Sequence, residues 1–220
     1  MAEEDWCKGF FKRHPDLSLR TPEESSGACA MGFNRVAVSN FFNLLNEILD
    51  KHELDTTKIF NCDETGISVV PKQFSKIIAV RGQRQVGVLS SAERGTTVTA
   101  EICCSAAGCY MPPMLIFPRK KKQREFEASL PPGGWAEVSV SGWITAEIFV
   151  KWLQQFILFS KTTKEHPVLL LLDGHTSHTK NLAAIDLARD NGVLMLCFPP
   201  HCSHKIQPLG VAFMKPLSLY

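Results

Sequence analysis

The stretch Val168-Leu-Leu-Leu-Leu-Asp173-Gly-His-Thr-Ser-His178 decides the fold. Five consecutive apolar residues put hydrophobic side chains on both faces of an extended segment, as in a strand covered by helices on each side. Asp173-Gly174-His175 ends that run abruptly, since Asp and Gly favour exit from a strand. Asn181 to Arg189 then reads as a helix and Val193 to Phe198 as the next strand, which makes a crossover unit for a parallel pair. Upstream, Thr145 is an N-cap for a helix whose Phe149, Trp152, Leu153 and Phe156 share one face. That helix leads through Lys161 to Pro167 into the apolar strand.

Further upstream, strand propensity marks Lys58 to Phe60, Ile67 to Val70, Gln85 to Leu89, Thr96 to Cys104 and Met114 to Phe117, with Asp63-Glu64-Thr65-Gly66 read as a polar turn. The order suggests an antiparallel meander. Pro112-Pro113 and Pro131-Pro132-Gly133-Gly134 bracket what reads as an exposed connection. The expected fold is therefore α/β: a mixed sheet of three antiparallel strands, continued by parallel strands and flanked by helices. Before it, residues 1–52 read as helical. Thr21, Pro22 and Glu24 form a helix start, and Val38, Phe41, Phe42, Leu45 and Leu49 share a face of a helix from Asn34. Two units follow, a helical segment over 1–52 and an α/β domain over 55–220.

Hydrophobic content of 45% and charged content of 21% are those of a folded globular chain. The formal net charge of +2 excludes a protein that binds DNA by bulk charge, so any nucleic-acid surface must be local. Two patches qualify: Arg119-Lys120-Lys121-Lys122-Gln123-Arg124, and Lys8, Lys12, Arg13 and Arg20. The start Met-Ala-Glu-Glu-Asp lacks the basic and apolar regions of a secretory signal, and no segment is apolar enough to span a bilayer. A soluble, intracellular protein with no membrane partner is expected. The eight cysteines include no Cys-x2-Cys pair and read as buried reduced thiols.

Open sheets bind ligands beyond their strand ends, so Asp63 and Asp173 are candidates to meet there. Convergent carboxylates repel one another unless protons, solvent or a divalent cation offset the charge. Mg2+ accepts their hard oxygens, and a pair of ions can stabilise both oxygens of a phosphodiester displacement. Alone, each acid is equally an ordinary turn residue, and Glu64 a solvated neighbour. His201-Cys202-Ser203-His204 offers zinc donors but at a spacing unlike paired zinc motifs.

Phe60-Asn-Cys-Asp-Glu-Thr-Gly66, Leu169 to His178, and Phe198-Pro-Pro-His-Cys-Ser-His-Lys-Ile-Gln-Pro-Leu209 together resemble the DDE endonuclease domain of Tigger and pogo-type transposases, over about residues 55 to 217. The resemblance implies an RNase H-like fold and Mg2+-dependent DNA strand cleavage and joining. It assigns Asp63 and Asp173 to the first and second catalytic, metal-binding positions, with His175 and His178 orienting the loop or contacting backbone phosphate. The family's third acid follows Gln-Pro-Leu. Here that position is Gly210. Asp186 and Asp190 belong to another element and do not replace it, and the expected helix from Val211 ends so soon that the domain reads as C-terminally truncated.

Trp6 to Arg20 resembles the latter part of a centromere-protein-B-type helix-turn-helix domain. This implies phosphate contacts from Lys12, Arg13, His14 and Arg20, giving affinity with little base specificity. The run containing Arg119, Lys120, Lys121, Lys122 and Arg124 is either a phosphate-contacting loop or a nuclear-import signal, and the resemblance implies a nuclear protein. The functional expectation is a transposon-derived DNA-binding protein with a degenerate, catalytically inactive DDE endonuclease domain. Its DNA binding is expected to be weak and salt-sensitive. The alternatives are a Mg2+-dependent endonuclease or strand-transfer enzyme, and a protein-interaction scaffold using Trp135, Trp143 or Trp152, for which core packing is the default.

Overall fold

A computed structural model describes residues 4–18, 34–68, 97–128 and 130–217. The centre is a six-stranded sheet in the order β4-β3-β2-β1-β5-β6, with β1 Ile59–Ser68, β2 Thr97–Ser105, β3 Met114–Pro118, β4 Trp135–Ser139, β5 Val168–Leu172 and β6 Val193–Cys197. Strands β1, β2 and β3 run antiparallel, whereas β5 pairs parallel with both β1 and β6. The mixed α/β sheet expected from sequence is present.

The helices form where the capping residues place them. Asn34 accepts a bond from the Ala37 amide at 2.9 Å and starts α2 (Arg35–His52), following α1 (Glu4–Arg13). Thr145 caps α3 (Ala146–Ser160) and Asn181 caps α5 (Leu182–Asp190), with the short α4 (Thr176–Thr179) between β5 and α5. On one face of the sheet, Phe149, Trp152, Leu153 and Phe156 of α3 pack over Phe60, Leu170 and Leu172. On the other, Phe41 of α2 packs with Leu169, Leu171 and Phe198, its ring 5.2 Å from that of Phe198. The apolar residues of β5 thus alternate between two cores, which explains an unbroken hydrophobic run. Each large side chain so buried contributes about 1.5–3 kcal/mol.

Two expectations are corrected, and one strand is added. Asp63-Glu64-Thr65-Gly66 is not a turn but the middle of β1, because β2 pairs along its whole length from Phe60↔Ser105 to Ser68↔Thr97. A continuous ladder satisfies backbone groups that turn-forming side chains would otherwise cap. Beyond the expected connection lies β4, an edge strand parallel to β3 that the sequence reading does not include. Finally, the C-terminal helical segment begins at Leu209 rather than Val211, as a π-helical turn over Leu209–Phe213 that runs into Met214–Leu217. The helix start at Thr21, the strand at Gln85 to Leu89 and Arg20 lie outside the described residues. Among the described residues no helix is long and apolar enough to cross a membrane.

Candidate functional site

Asp63 and Asp173 meet because of the β1–β5 register. The last parallel pair is Asn61↔Leu171, and the same offset continued by two residues sets Asp173, just past the end of β5, beside Asp63. Both line a cavity of about 260 Å³ together with Glu64, Trp143, Ile144 and His175. Glu64, expected to be a solvated neighbour, belongs to this cavity, and the Ile144 amide donates to its carboxylate. A second unexpected acid, Glu101, faces Glu64 across the β1–β2 ladder and is 1% exposed. No regular hydrogen bond reaches its carboxylate oxygens among the described residues, and the Cys62 thiol beside it is a weak donor.

Burial dominates the electrostatics. Asp63 is raised from 3.8 to about 6 by desolvation, with the Asp173 charge adding to the rise. Glu64 is raised from 4.5 to about 7, again by burial, partly opposed by His178. Burial also pushes the Glu101 carboxyl well above the usual range, and Glu64 and Asp63 push it in the same direction. Asp173 goes the other way. Burial would raise it, but bonds from the His178 ring and the His175 amide outweigh that and hold its carboxyl below the ordinary value. The site therefore holds its firmest negative charge at Asp173, while Asp63 and Glu64 take up protons as pH falls through about 6 and 7.

His178 is a positioning residue. It is 4% exposed, its Nδ1 lies 2.9 Å from Asp173 Oδ1, and its ring packs 4.3 Å from Phe149. Of the two roles expected for it, this placement favours orienting the loop. His175 remains exposed, caps α4 and points its Nδ1 at Ser177 Oγ, 2.7 Å away. Its backbone amide donates to Asp173 Oδ1 at 3.0 Å.

The segment carrying Gly210 is tied directly to β1. Asn61 accepts a bond from the Leu209 amide at 3.0 Å and donates to the Leu171 carbonyl at 3.1 Å. Gln207 donates to the Cys62 carbonyl at 3.1 Å and also bonds the Asp63 carboxylate. Leu209, 2% exposed, packs beneath with Ala100 and Ile102. As a result, a Cβ built on Gly210 would stand 3.5 Å from Asp63 Oδ2. Gly210 is thus delivered to the Asp63 carboxylate with no side chain of its own.

A divalent cation fits these residues poorly. Among the described residues no group of three or more His, Cys, Asp or Glu side chains is arranged to hold a metal. Asp173 Oδ1 is already engaged twice, and Glu64, raised to about 7, is partly protonated near neutral pH. Mg2+ binds carboxylates together with several waters and gains little from neutral acids. The proposed substitutes lie elsewhere: Asp186 pairs with Arg189 at 3.1 Å and Asp190 with Lys164 at 3.5 Å, both at the surface. Cys202 is fully buried and belongs to no metal-holding group among the described residues.

The basic candidates are on the surface. Lys12, Arg13 and His14 are exposed at the end of α1, where the His14 ring packs 4.7 Å from Phe10. Arg119, Lys120, Lys121, Lys122 and Arg124 are exposed in the connection between β3 and β4. Trp152 is fully buried, as core packing requires, and Trp135 is partly buried against the same core, but Trp143 is 51% exposed at the rim of the acidic cavity.

Comparison with known proteins agrees with this geometry. Residues 95–219 match the family model of the DDE superfamily endonuclease. The chain superposes on Mos1 transposase in a paired-end complex with the left transposon end, with TM-score 0.54 and 14% identity, covering 96% of this chain and 56% of that one. The Mos1 mariner paired-end complex with Mn gives TM-score 0.55 at 13% identity over the same shares. At such identity these likenesses establish the RNase H-like fold. A curated relative, MFS-type transporter clz9 of Cochliobolus lunatus, is 32% identical over 174 residues, which is 76% of this chain and 18% of that protein. The chain thus spans about half the length of the solved relatives and less than a fifth of the curated one.

Proposed function

The chain belongs to the DDE superfamily endonuclease family, and from that premise we propose that it is a transposase-derived DNA-binding protein whose endonuclease site no longer cuts. One observation carries this reading: Gly210 arrives at the Asp63 carboxylate with no side chain to offer. Loss even of a residue that only orients a metal ligand commonly costs about 10- to 100-fold in metal affinity or activity, and a missing ligand costs more. The binding half of the proposal is supported by the exposed cations of the 119–124 connection and of α1, and by the transposon-end DNA in the Mos1 complex. It includes a helix-turn-helix contribution from residues 1–52 and a nuclear location.

The test pairs a binding assay with a cleavage assay on the same folded sample. Expected are duplex binding that weakens steeply with salt and no nicking in a Mg2+ and Mn2+ series. Binding absent at every salt concentration would reject the proposal. The competing reading, metal-dependent cleavage by Asp63 and Asp173, has Glu64 in the same cavity in its favour. It requires nicking that is lost in both Asp63→Ala and Asp173→Ala.

A further inference from the structure

Trp143 stands where three features converge. Its ring lies over β1 at Gly66, where an added Cβ would be 3.9 Å from Trp143 Cη2. Its turn is rigid: Ser139 Oγ donates to the Trp143 carbonyl at 2.7 Å, the Trp143 amide donates to Ser141 Oγ at 3.3 Å, and Gly142 takes a φ of +77° that favours glycine. The next residue, Ile144, donates its amide to Glu64, so the turn is fastened to the acidic cavity.

The same turn abuts the basic connection. Pro118 and Ser139 form the last β3–β4 pair, and a Cβ on Gly142 would meet Pro118 Cβ at 3.1 Å. Arg119 follows directly and donates to the Pro118 carbonyl at 3.1 Å. The far side of the connection is pinned by Phe126, which stacks on Phe117 with ring centroids 4.2 Å apart, and by the 2.7 Å Lys122–Glu127 ion pair. An exposed Trp143 therefore sits between a run of exposed cations and a pocket of acids.

We infer that Trp143 is a stacking platform for an unpaired nucleobase, with the phosphates on either side of that base held by the cations from Arg119 to Lys121. Phosphates are repelled by Asp173 and attracted by Arg119 to Lys121, so a strand runs along the basic side. An uncharged base can turn toward the cavity rim. Inside a duplex both faces of a base are already stacked, so a half-exposed ring gains this contact only from single strands or frayed ends. Aromatic platforms of this kind are tolerant of base identity. The inference rests on the DNA-binding proposal above and goes beyond it by naming the strand state and the residue that reads it.

The test measures affinity of the whole chain for short oligothymidine and for a blunt duplex of equal length. Trp143→Ala should weaken single-strand binding by about 5- to 150-fold and leave duplex binding within about 2-fold, since one stacked base is at stake. Trp143→Phe should retain the preference, which separates stacking from loss of fold. In a Trp6→Phe background, chosen because Trp6 is also exposed, oligothymidine should quench fluorescence through Trp143, and adding Trp143→Phe should abolish that quench. Equal losses on both DNAs, or no loss with Trp143→Ala, would overturn the stacking inference while salt-sensitive duplex binding upheld the broader proposal. Failure of the unaltered chain to bind either DNA would overturn both.

Discussion

Replacing Gly210 by Asp tests whether the proposed loss of cutting rests on one carboxylate. The position accepts a side chain: Gly210 lies in the right-handed π turn, and its Cβ would make ordinary van der Waals contact with Asp63 Oδ2 at 3.5 Å. Two carboxylates about 4–5 Å apart at an effective dielectric of about 20 repel by roughly 3–4 kcal/mol. Proton uptake limits the net cost, because Asp63 already titrates at about 6 and can accept a proton in place. Without metal, Gly210→Asp should therefore lose about 1–3 kcal/mol at neutral pH, seen as a fall in Tm of roughly 2–10 °C for a chain of this size. A divalent cation at about 100 times its Kd would restore about 2.7 kcal/mol, which offsets most of the deficit. The assay is thermal unfolding in EDTA and across a Mn2+ titration, with Gly210→Asn as the uncharged control. The reasoning fails if Asp and Asn variants melt alike in EDTA and respond alike to Mn2+, since charge would then not be what the position lacks.

The acids give a pH signature. Asp63 and Glu64 have folded values of about 6 and 7, above their ordinary 3.8 and 4.5, so the stability they contribute is fully present below about pH 4 and is lost as pH rises through 6 and 7. Asp63→Asn with Glu64→Gln should flatten that slope and gain about 1–2 kcal/mol at pH 8 after allowing for solvent access; denaturant melts that keep the slope would contradict the burial argument. Asn61→Ala strands the buried Leu209 amide and Leu171 carbonyl and should cost about 2–4 kcal/mol, with fast hydrogen exchange at Leu209 as the local marker. In His178→Ala the Asp173 carboxyl should titrate closer to its ordinary value in a carbon-detected NMR series, because the bond that holds it down is gone. An unchanged Asp173 would assign its depression to the His175 amide alone.

The parts of the fold legible in sequence were those governed by one strong local rule. Asn34, Thr145 and Asn181 cap helices because their side chains satisfy amides that the helix cannot, and Val168–Leu172 is buried on both faces because its residues permit nothing else. The Asp63–Gly66 segment misled for the opposite reason. Turn-forming residues sit in mid-strand there because β2 supplies the ladder and the site needs acids beside β5, so tertiary context overrides propensity. Glu64 and Glu101 were hidden for a related cause, since strand alternation says which face a residue takes but not that the face closes into a cavity. Strand β4 is short and follows Pro131-Pro132-Gly133-Gly134, whose turn signal masks it. The exposure of Trp143 was hidden because a large aromatic is buried by default.

The contrast between Asn61 and Gly210 separates folding from cutting at this site. The C-terminal segment is held by the Asn61 and Gln207 side chains and by the buried Leu209, none of which requires anything of the Gly210 side chain. Had an acid at 210 been part of what docks the segment, its absence would leave the segment displaced and Asp63 solvated. Instead the segment is docked and Asp63 is desolvated enough to titrate at about 6. Three acids around one cation form a site whose charge the cation neutralises. Burial of Asp63 and Glu64 favours their protonated forms, so without a cation the cavity lowers its charge by taking up protons as pH falls through about 7 and 6. Such a cavity repels phosphate less than a fully ionised one.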